Sequence, residues 1–212
     1  MIITSSDTYI LPIKELMTIS IQTCYAVTIM RYFIGSLLRG EVAEYYKVTC
    51  TDLANRFGIA NVSDIVPPHI TIKTSFERPN AEVIDECLAL NTEVSPIPIS
   101  LSSWNHFGTR TIFMEGQKPD RALIEYTNTL LGKLRNAGIP TSPEDREVHI
   151  RMSIARFLKP REFQDIWNYL QTVPAPKFDM TFDNVTIFYK ENKDDKAWKV
   201  LKTFPLVSPK IN

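Results

Sequence analysis

Two short stretches of the chain set a histidine in the same surroundings. Residues 67–76 read PPHITIKTSF and residues 147–157 read EVHIRMSIARF, so His149 lies eighty residues after His69. Imidazole titrates near pH 6.5, and a pair of them can take and give protons at neutral pH without a metal. Side chains alternate along a strand. His69, Thr71 and Lys73 then share one face and Ile70, Ile72 and Thr74 the other, while His149, Arg151 and Ser153 oppose Ile150, Met152 and Ile154. Each histidine is followed on its own face by hydroxyl or cationic residues, the types that hold an oxyanion. A lone strand histidine is most often exposed or merely hydrogen-bonded; the matched settings set this pair apart.

The elements that must position them follow from periodicity. Residues 21–30 (IQTCYAVTIM) are rich in β-branched residues and read as a strand. Residues 41–57 place Val42, Tyr45, Tyr46, Thr49, Leu53 and Phe57 along one face and stop at Gly58, which predicts a helix. The first histidine strand, 69–76, is halted by ERPN; a helix fits 81–90, and 96–116 reads as two strands around a turn at 105–108. Residues 119–138 form the clearest helix, capped by Asp120 and closed by Gly138, with Leu123, Tyr126, Leu130, Leu131 and Leu134 on its apolar face. A Pro-rich loop leads to the second histidine strand, then a helix over 161–170. Two final strands, FDMTFDNVTIFYK and AWKVLKTFPL, flank the charged turn ENKDDK, read as solvated and without a special role.

The order repeats a unit of helix, histidine strand, helix and strand pair. It predicts an α+β fold of two pseudo-symmetric lobes of antiparallel sheet with helices on the outer faces, so that two polar strand faces meet. Residues 21–206 form one bilobal domain in this reading, with 1–20 an N-terminal extension and 207–212 a tail. Among seven glycines there is no GxGxxG or Walker-type loop to cradle a nucleotide phosphate.

Composition narrows the function classes. The 212 residues are 44% hydrophobic and 23% charged, ordinary for a globular protein. Twenty-four basic residues balance twenty-four acidic ones, so any anionic ligand must be held by a local cluster and not by a global field. Cys24, Cys50 and Cys87 lie in no CxxC pair and near no histidine at metal-ligand spacing, which reads as reduced thiols in a cytoplasmic protein. There is no HExxH motif and no Cys/His cluster, so neither a metal nor another cofactor is expected. No apolar run has transmembrane length, and the N-terminus is a poor signal peptide.

On these motifs the sequence resembles the 2H phosphoesterases, the superfamily that includes the LigT-like RNA 2′,3′-cyclic phosphodiesterases and 2′-5′ RNA ligases. Their signature is a His-x-Thr/Ser motif in similar strands of two pseudo-symmetric lobes. HIT at 69–71 matches in full, whereas HIR at 149–151 keeps the histidine and puts Arg151 where a hydroxyl is the rule. The resemblance covers about 21–206. It implies a metal-free site in a central cleft, with both histidines on one phosphate. The substrate would be a 2′,3′-cyclic phosphate, a 2′-5′ linkage or a small cyclic (oligo)nucleotide, met as a free nucleotide or an RNA terminus by a monomer that needs no protein partner. His69 and His149 would serve as general base and acid, in an order the sequence leaves open, while Thr71 and Arg151 hold the phosphoryl oxygens. Arg151 can do so bidentately.

Lys73 and Ser153, one pleat further on, are further candidates for substrate contact. Tyr189, Trp104 and Phe107 are candidates for stacking on a base, Tyr189 because the family's penultimate strand borders the cleft, while Trp104 and Phe107 also read as packing. His106 reads as a surface-loop residue, and Arg31 and Arg110 as surface ion pairs. The rival is a binding module with the same fold that holds a nucleotide or RNA end and hydrolyses nothing, for which Arg151 is the best support.

Overall fold

The computed structural model describes residues 29–192 and 194–209. The extension at 1–20 and Cys24 lie outside the described residues, as does almost all of the strand expected over 21–30. The first described strand, β1 (Met30–Leu37), starts where that expected strand ends. There follow α1 (Glu41–Phe57), β2 (His69–Arg78), α2 (Glu82–Ala89), β3 (Ile97–Phe107), β4 (Thr111–Gly116), α3 (Arg121–Asn136), β5 (Arg151–Arg156), α4 (Pro160–Thr172), β6 (Phe178–Phe182), β7 (Asn184–Lys190) and β8 (Lys199–Pro205). The helix stops act as their residue types dictate. Gly58 takes φ 65°, and its N–H donates to the Ala54 carbonyl. Asp120 accepts from the Leu123 N–H at 2.8 Å.

The strands form two four-stranded antiparallel sheets in the orders β2-β1-β7-β8 and β5-β4-β3-β6, giving an α+β fold of two lobes. The orders correspond position by position: β2 matches β5, and β1 matches β4. FDMTFDNVTIFYK is two strands, broken at Asp183, because β6 pairs with β3 in one sheet while β7 pairs with β1 in the other. Asn184 anchors the start of β7 to the end of β1: its Oδ1 accepts from the Leu37 N–H and its Nδ2 donates to the Leu37 carbonyl, both at 2.9 Å. The hairpin turn lies later than expected, because β3 runs on to Phe107 and Gly108, at φ 53°, makes the turn.

Each sheet buries one face under helices. α2 packs on β7 and α3; α1 and α4 pack on each other and on β5 and β4 respectively. α1 follows β1 of the first sheet yet docks on the second, where the buried Cys50 thiol donates to the Ile154 carbonyl at 3.5 Å. Burial pushes that thiol up to about 12, so it stays protonated. The edge strands β2 and β5 approach one another across the cleft.

Candidate active site

Strand register decides which residues of the two lobes are counterparts. Against β1, His69 stands opposite Leu37, Thr71 opposite Gly35 and Lys73 opposite Ile34, so Ile72 is an unpaired bulge residue. Against β4, Arg151 stands opposite Glu115, Ser153 opposite Phe113 and Ala155 opposite Ile112, so Ile154 is the unpaired one. Laying bulge on bulge equates Thr71 with Ser153 and His69 with Arg151. The surroundings agree. Phe33 lies 4.8 Å from the His69 ring, and the Arg151 guanidinium lies 5.0 Å from the Phe113 ring.

The pairing taken from spacing sets His149 against His69 instead, and the glycine contacts follow it: Gly35 lies against Ile70 and Gly116 against Ile150, each one residue after a histidine. His149 precedes β5 by two residues, just beyond the 3-10 turn Pro143–Asp145. A slip of two residues preserves alternation, so periodicity cannot choose between the two registers. Under the bulge alignment the hydroxyl matching Thr71 is Ser153, and Arg151 matches His69.

The same bulge displaces Lys73. With Ile72 unpaired, alternation reverses, and Lys73 joins Ile34 on the core face instead of facing the cleft beside Thr71. It is 1% exposed, and its Nζ lies 2.9 Å from Asp145 Oδ2. Asp145 also accepts from the Thr74 N–H and hydroxyl and from the Ser142 N–H, at 2.8, 2.9 and 2.7 Å. These bonds pin the turn leading to His149 onto β2 of the other lobe. Although burial opposes ionisation, the bonds hold the Asp145 carboxyl below its ordinary range.

Three joined compartments make up the cleft. Thr71 and Thr74 from one lobe and His149, Arg151 and Ser153 from the other line the central one, of about 210 Å³. Phe107, Phe113, Arg151 and Arg156 lie around an outer one of about 600 Å³, which His149 also borders. On the opposite side His69, Phe33, Trp198 and Arg156 border a third, of about 330 Å³, shared with Thr71. The two histidines thus stand in neighbouring compartments, joined through Thr71 and Arg156. Gly35 permits the close passage of β1 behind them: a Cβ there would meet the Ile70 carbonyl oxygen at 2.7 Å.

The imidazoles differ in state. His69 Nδ1 lies 2.8 Å from the Pro67 carbonyl oxygen, which can only accept, so Nδ1 carries the proton and Nε2 keeps its lone pair. Burial among Phe33 and Phe188 pushes this group down to about 4, with the Arg156 charge adding to the effect. His149 Nε2 faces Glu147 Oε2 at 3.3 Å. Its pKa is also lowered, by desolvation first and by the Arg151 charge second, with Glu147 and Glu115 pulling the other way. Arg151 Nε is buried without a hydrogen-bond partner.

Two stacking candidates lie off the cleft. Tyr189 pairs with Tyr32 on the core side of β7, one residue from the cleft-side Phe188–Phe33 pair. Trp104 stands opposite the buried Met114 and donates its indole N–H to the Val173 carbonyl at 3.1 Å. The cleft aromatics are Phe33, Trp198, Phe107, Phe113 and Phe157. Phe107, the third stacking candidate, is 68% exposed, 5.6 Å from the Arg151 guanidinium. His106 sits at the end of β3, edge-on to Phe163 and Trp167 of α4. The charged turn after β7 serves the cleft, because it returns Trp198, whose N–H donates to the Ile65 carbonyl at 2.7 Å.

Two matched lobes around a cleft, with a full His-x-Thr motif on one wall and His149 on the other, agree with the architecture expected of the 2H phosphoesterases. A family model of the 2′-5′ RNA ligase superfamily matches residues 52–194, and the chain belongs to that superfamily. A protein of Oceanobacillus iheyensis that carries a phosphoesterase name is 27% identical over 150 residues, 67% of this chain and 81% of that one. A second of that kind, from a Geobacillus strain, is 23% identical over 144 residues, 66% of this chain and 79% of that one. Among solved structures, Escherichia coli LigT complexed with 3′-AMP aligns with a TM-score of 0.58 at 16% identity, covering 85% of this chain and 99% of LigT. TT0787 of Thermus thermophilus aligns at 0.56, with 16% identity and 84% and 98% coverage. The fold is therefore LigT-like and the chain is of a phosphoesterase superfamily. Among the described residues no three His, Cys, Asp or Glu side chains converge, and no helix is long and apolar enough to cross a membrane.

Proposed function

We propose that the chain hydrolyses a phosphodiester without a metal, its substrate being a 2′,3′-cyclic phosphate, a 2′-5′ linkage or a small cyclic (oligo)nucleotide. The carrying observation is the convergence of Thr71 with His149, Arg151 and Ser153 in one compartment, with His69 beside it. In this reading the free Nε2 of His69 takes a proton from water, whose oxygen forms the new bond to phosphorus. The ribose oxygen leaves with the bonding pair and takes a proton from His149. Solvent then restores both imidazoles. Thr71 and Ser153 donate to the non-bridging oxygens from equivalent strand positions, and Arg151, with an unpartnered Nε, carries the charge that gathers there. Nucleotide ligands fit this reading, as LigT has been crystallised with 3′-AMP and with NADP+.

A second reading, retention of a nucleotide or RNA end without cleavage, is favoured by Arg151 at the position equivalent to His69. Arginine holds phosphate but is a poor proton donor near neutral pH. The discriminating experiment is incubation of a nucleoside 2′,3′-cyclic phosphate with the protein in EDTA. Product formation that falls about 100-fold or more in His69→Ala and in His149→Ala supports hydrolysis. Saturable binding with no product over hours supports the binding module.

A further inference from the structure

The compartment beside His69 carries more positive charge than one phosphate needs. Arg31, Arg156 and Lys190 all line it, and among the described residues no carboxylate does. Of the three, only Arg31 has a carboxylate partner among the described residues, and that one is loose. Arg31 donates to the Ser75 hydroxyl at 3.2 Å and its Nε is buried without a hydrogen bond; its carboxylate neighbour, Glu77, stands 3.9 Å away, exposed and outside the compartment. Lys190 Nζ donates to the carbonyls of Asp195 and Lys196, which are neutral. Arg156 makes no ion pair among the described residues. Arg31 and Lys190 face each other in register on β1 and β7, and each lies against the Trp198 ring, at 6.0 and 5.3 Å. Such an excess of cations around a half-enclosed space is stabilised by an anion from solution.

Arg31 and Lys190 lie further along the strands than the proposed phosphate position at His69 and Thr71. Thr71 stands opposite Gly35, four residues along β1 from Arg31, so the two positions are roughly 13 Å apart along the strand at about 3.3 Å per residue. That span leaves room for a second anion beside the one at Thr71.

We propose that Arg31 and Lys190, with Trp198 between them, form a second anion subsite, and that the substrate carries a further phosphate one nucleotide unit beyond the scissile group. Arg156, at the junction of the compartments, faces both groups. The subsite rests on the phosphodiesterase reading and names the substrate class within it: nucleotides with two or more phosphates, such as a 5′-phosphorylated nucleoside cyclic phosphate or an oligonucleotide, over an unadorned nucleoside cyclic phosphate.

The subsite is tested by binding alone, so failure of hydrolysis and failure of the subsite are separable. Calorimetric titration of the full chain with adenosine 3′,5′-bisphosphate and with 3′-AMP should show at least tenfold tighter binding of the bisphosphate. Arg31→Gln/Lys190→Gln should bring the two affinities together while leaving that for 3′-AMP within about twofold, and Arg31→Lys/Lys190→Arg should keep the preference. Thermal melts followed by circular dichroism establish that each variant is folded. Equal affinities in the wild type, or a preference undiminished in the folded glutamine variant, overturns the subsite whether or not any phosphodiester is cleaved.

Discussion

In the proposed mechanism His69 is the base. Its Nδ1 proton is committed to the Pro67 carbonyl and its pKa is pushed down to about 4, so Nε2 is free over most of the pH range. His149, the proposed acid, must be protonated to act, and its pKa is lowered as well. Activity should therefore hold as pH falls toward 4 and decline as pH rises through the His149 pKa, which places the optimum of kcat/KM for the free protein below about 6.5. Arg151→Gln removes a like charge from beside His149 and should move the alkaline limb upward, read from the pH–rate profile, even as turnover drops. Stability follows His69 with its own sign. The folded pKa of His69 lies below its unfolded value, so the unfolded chain binds more protons between about pH 6.5 and 4, and stability falls as pH falls through that window. His69→Gln should flatten that part of the melting-temperature profile, and an unchanged slope would remove His69 as its source.

At the scale of the element, two bulged strands do the positioning. The alternation of Ile70 and Ile72 with His69 and Thr71 is legible in the sequence, as are α1 with its Gly58 stop and α3 with its Asp120 cap. The bulges at Ile72 and Ile154 are not, because a bulge is set by pairing to another strand and not by local pattern. From that one omission comes the placement of Lys73 on the cleft. Tyr189 misses the cleft by one residue on β7 for a related reason: only the pairing of Phe188 with Phe33 shows which side of the strand faces it. Register also makes a prediction. An imidazole at position 151 would occupy the counterpart of His69, so Arg151→His should restore part of the turnover lost in His149→Ala; no recovery in the folded double variant would argue that the acid must come from the loop. Lys73→Met strands the buried Asp145 carboxylate, and urea unfolding should register a loss of about 3–5 kcal/mol.

Across the whole molecule, function depends on two lobes meeting at a fixed distance. Asn184 anchors the start of β7 to the end of β1, α1 docks on the lobe opposite to its own strand, and Asp145 ties the His149 loop to β2. The repeat of helix and strand makes the two-lobed fold legible; the composition, with charges in balance, could not reveal that cations gather on one side of the cleft. No step in the proposed chemistry needs a metal, so EDTA should leave turnover unchanged. The most direct measurement is single-substrate turnover of a 5′-phosphorylated nucleoside 2′,3′-cyclic phosphate by the wild type and by His69→Ala, both melted in parallel. Metal-independent ring opening by the wild type, cut about 100-fold or more in a variant that melts at the same temperature, is the predicted result. Equal turnover in the two proteins, or none in the wild type, would contradict the assignment of His69 as the base of a phosphodiesterase.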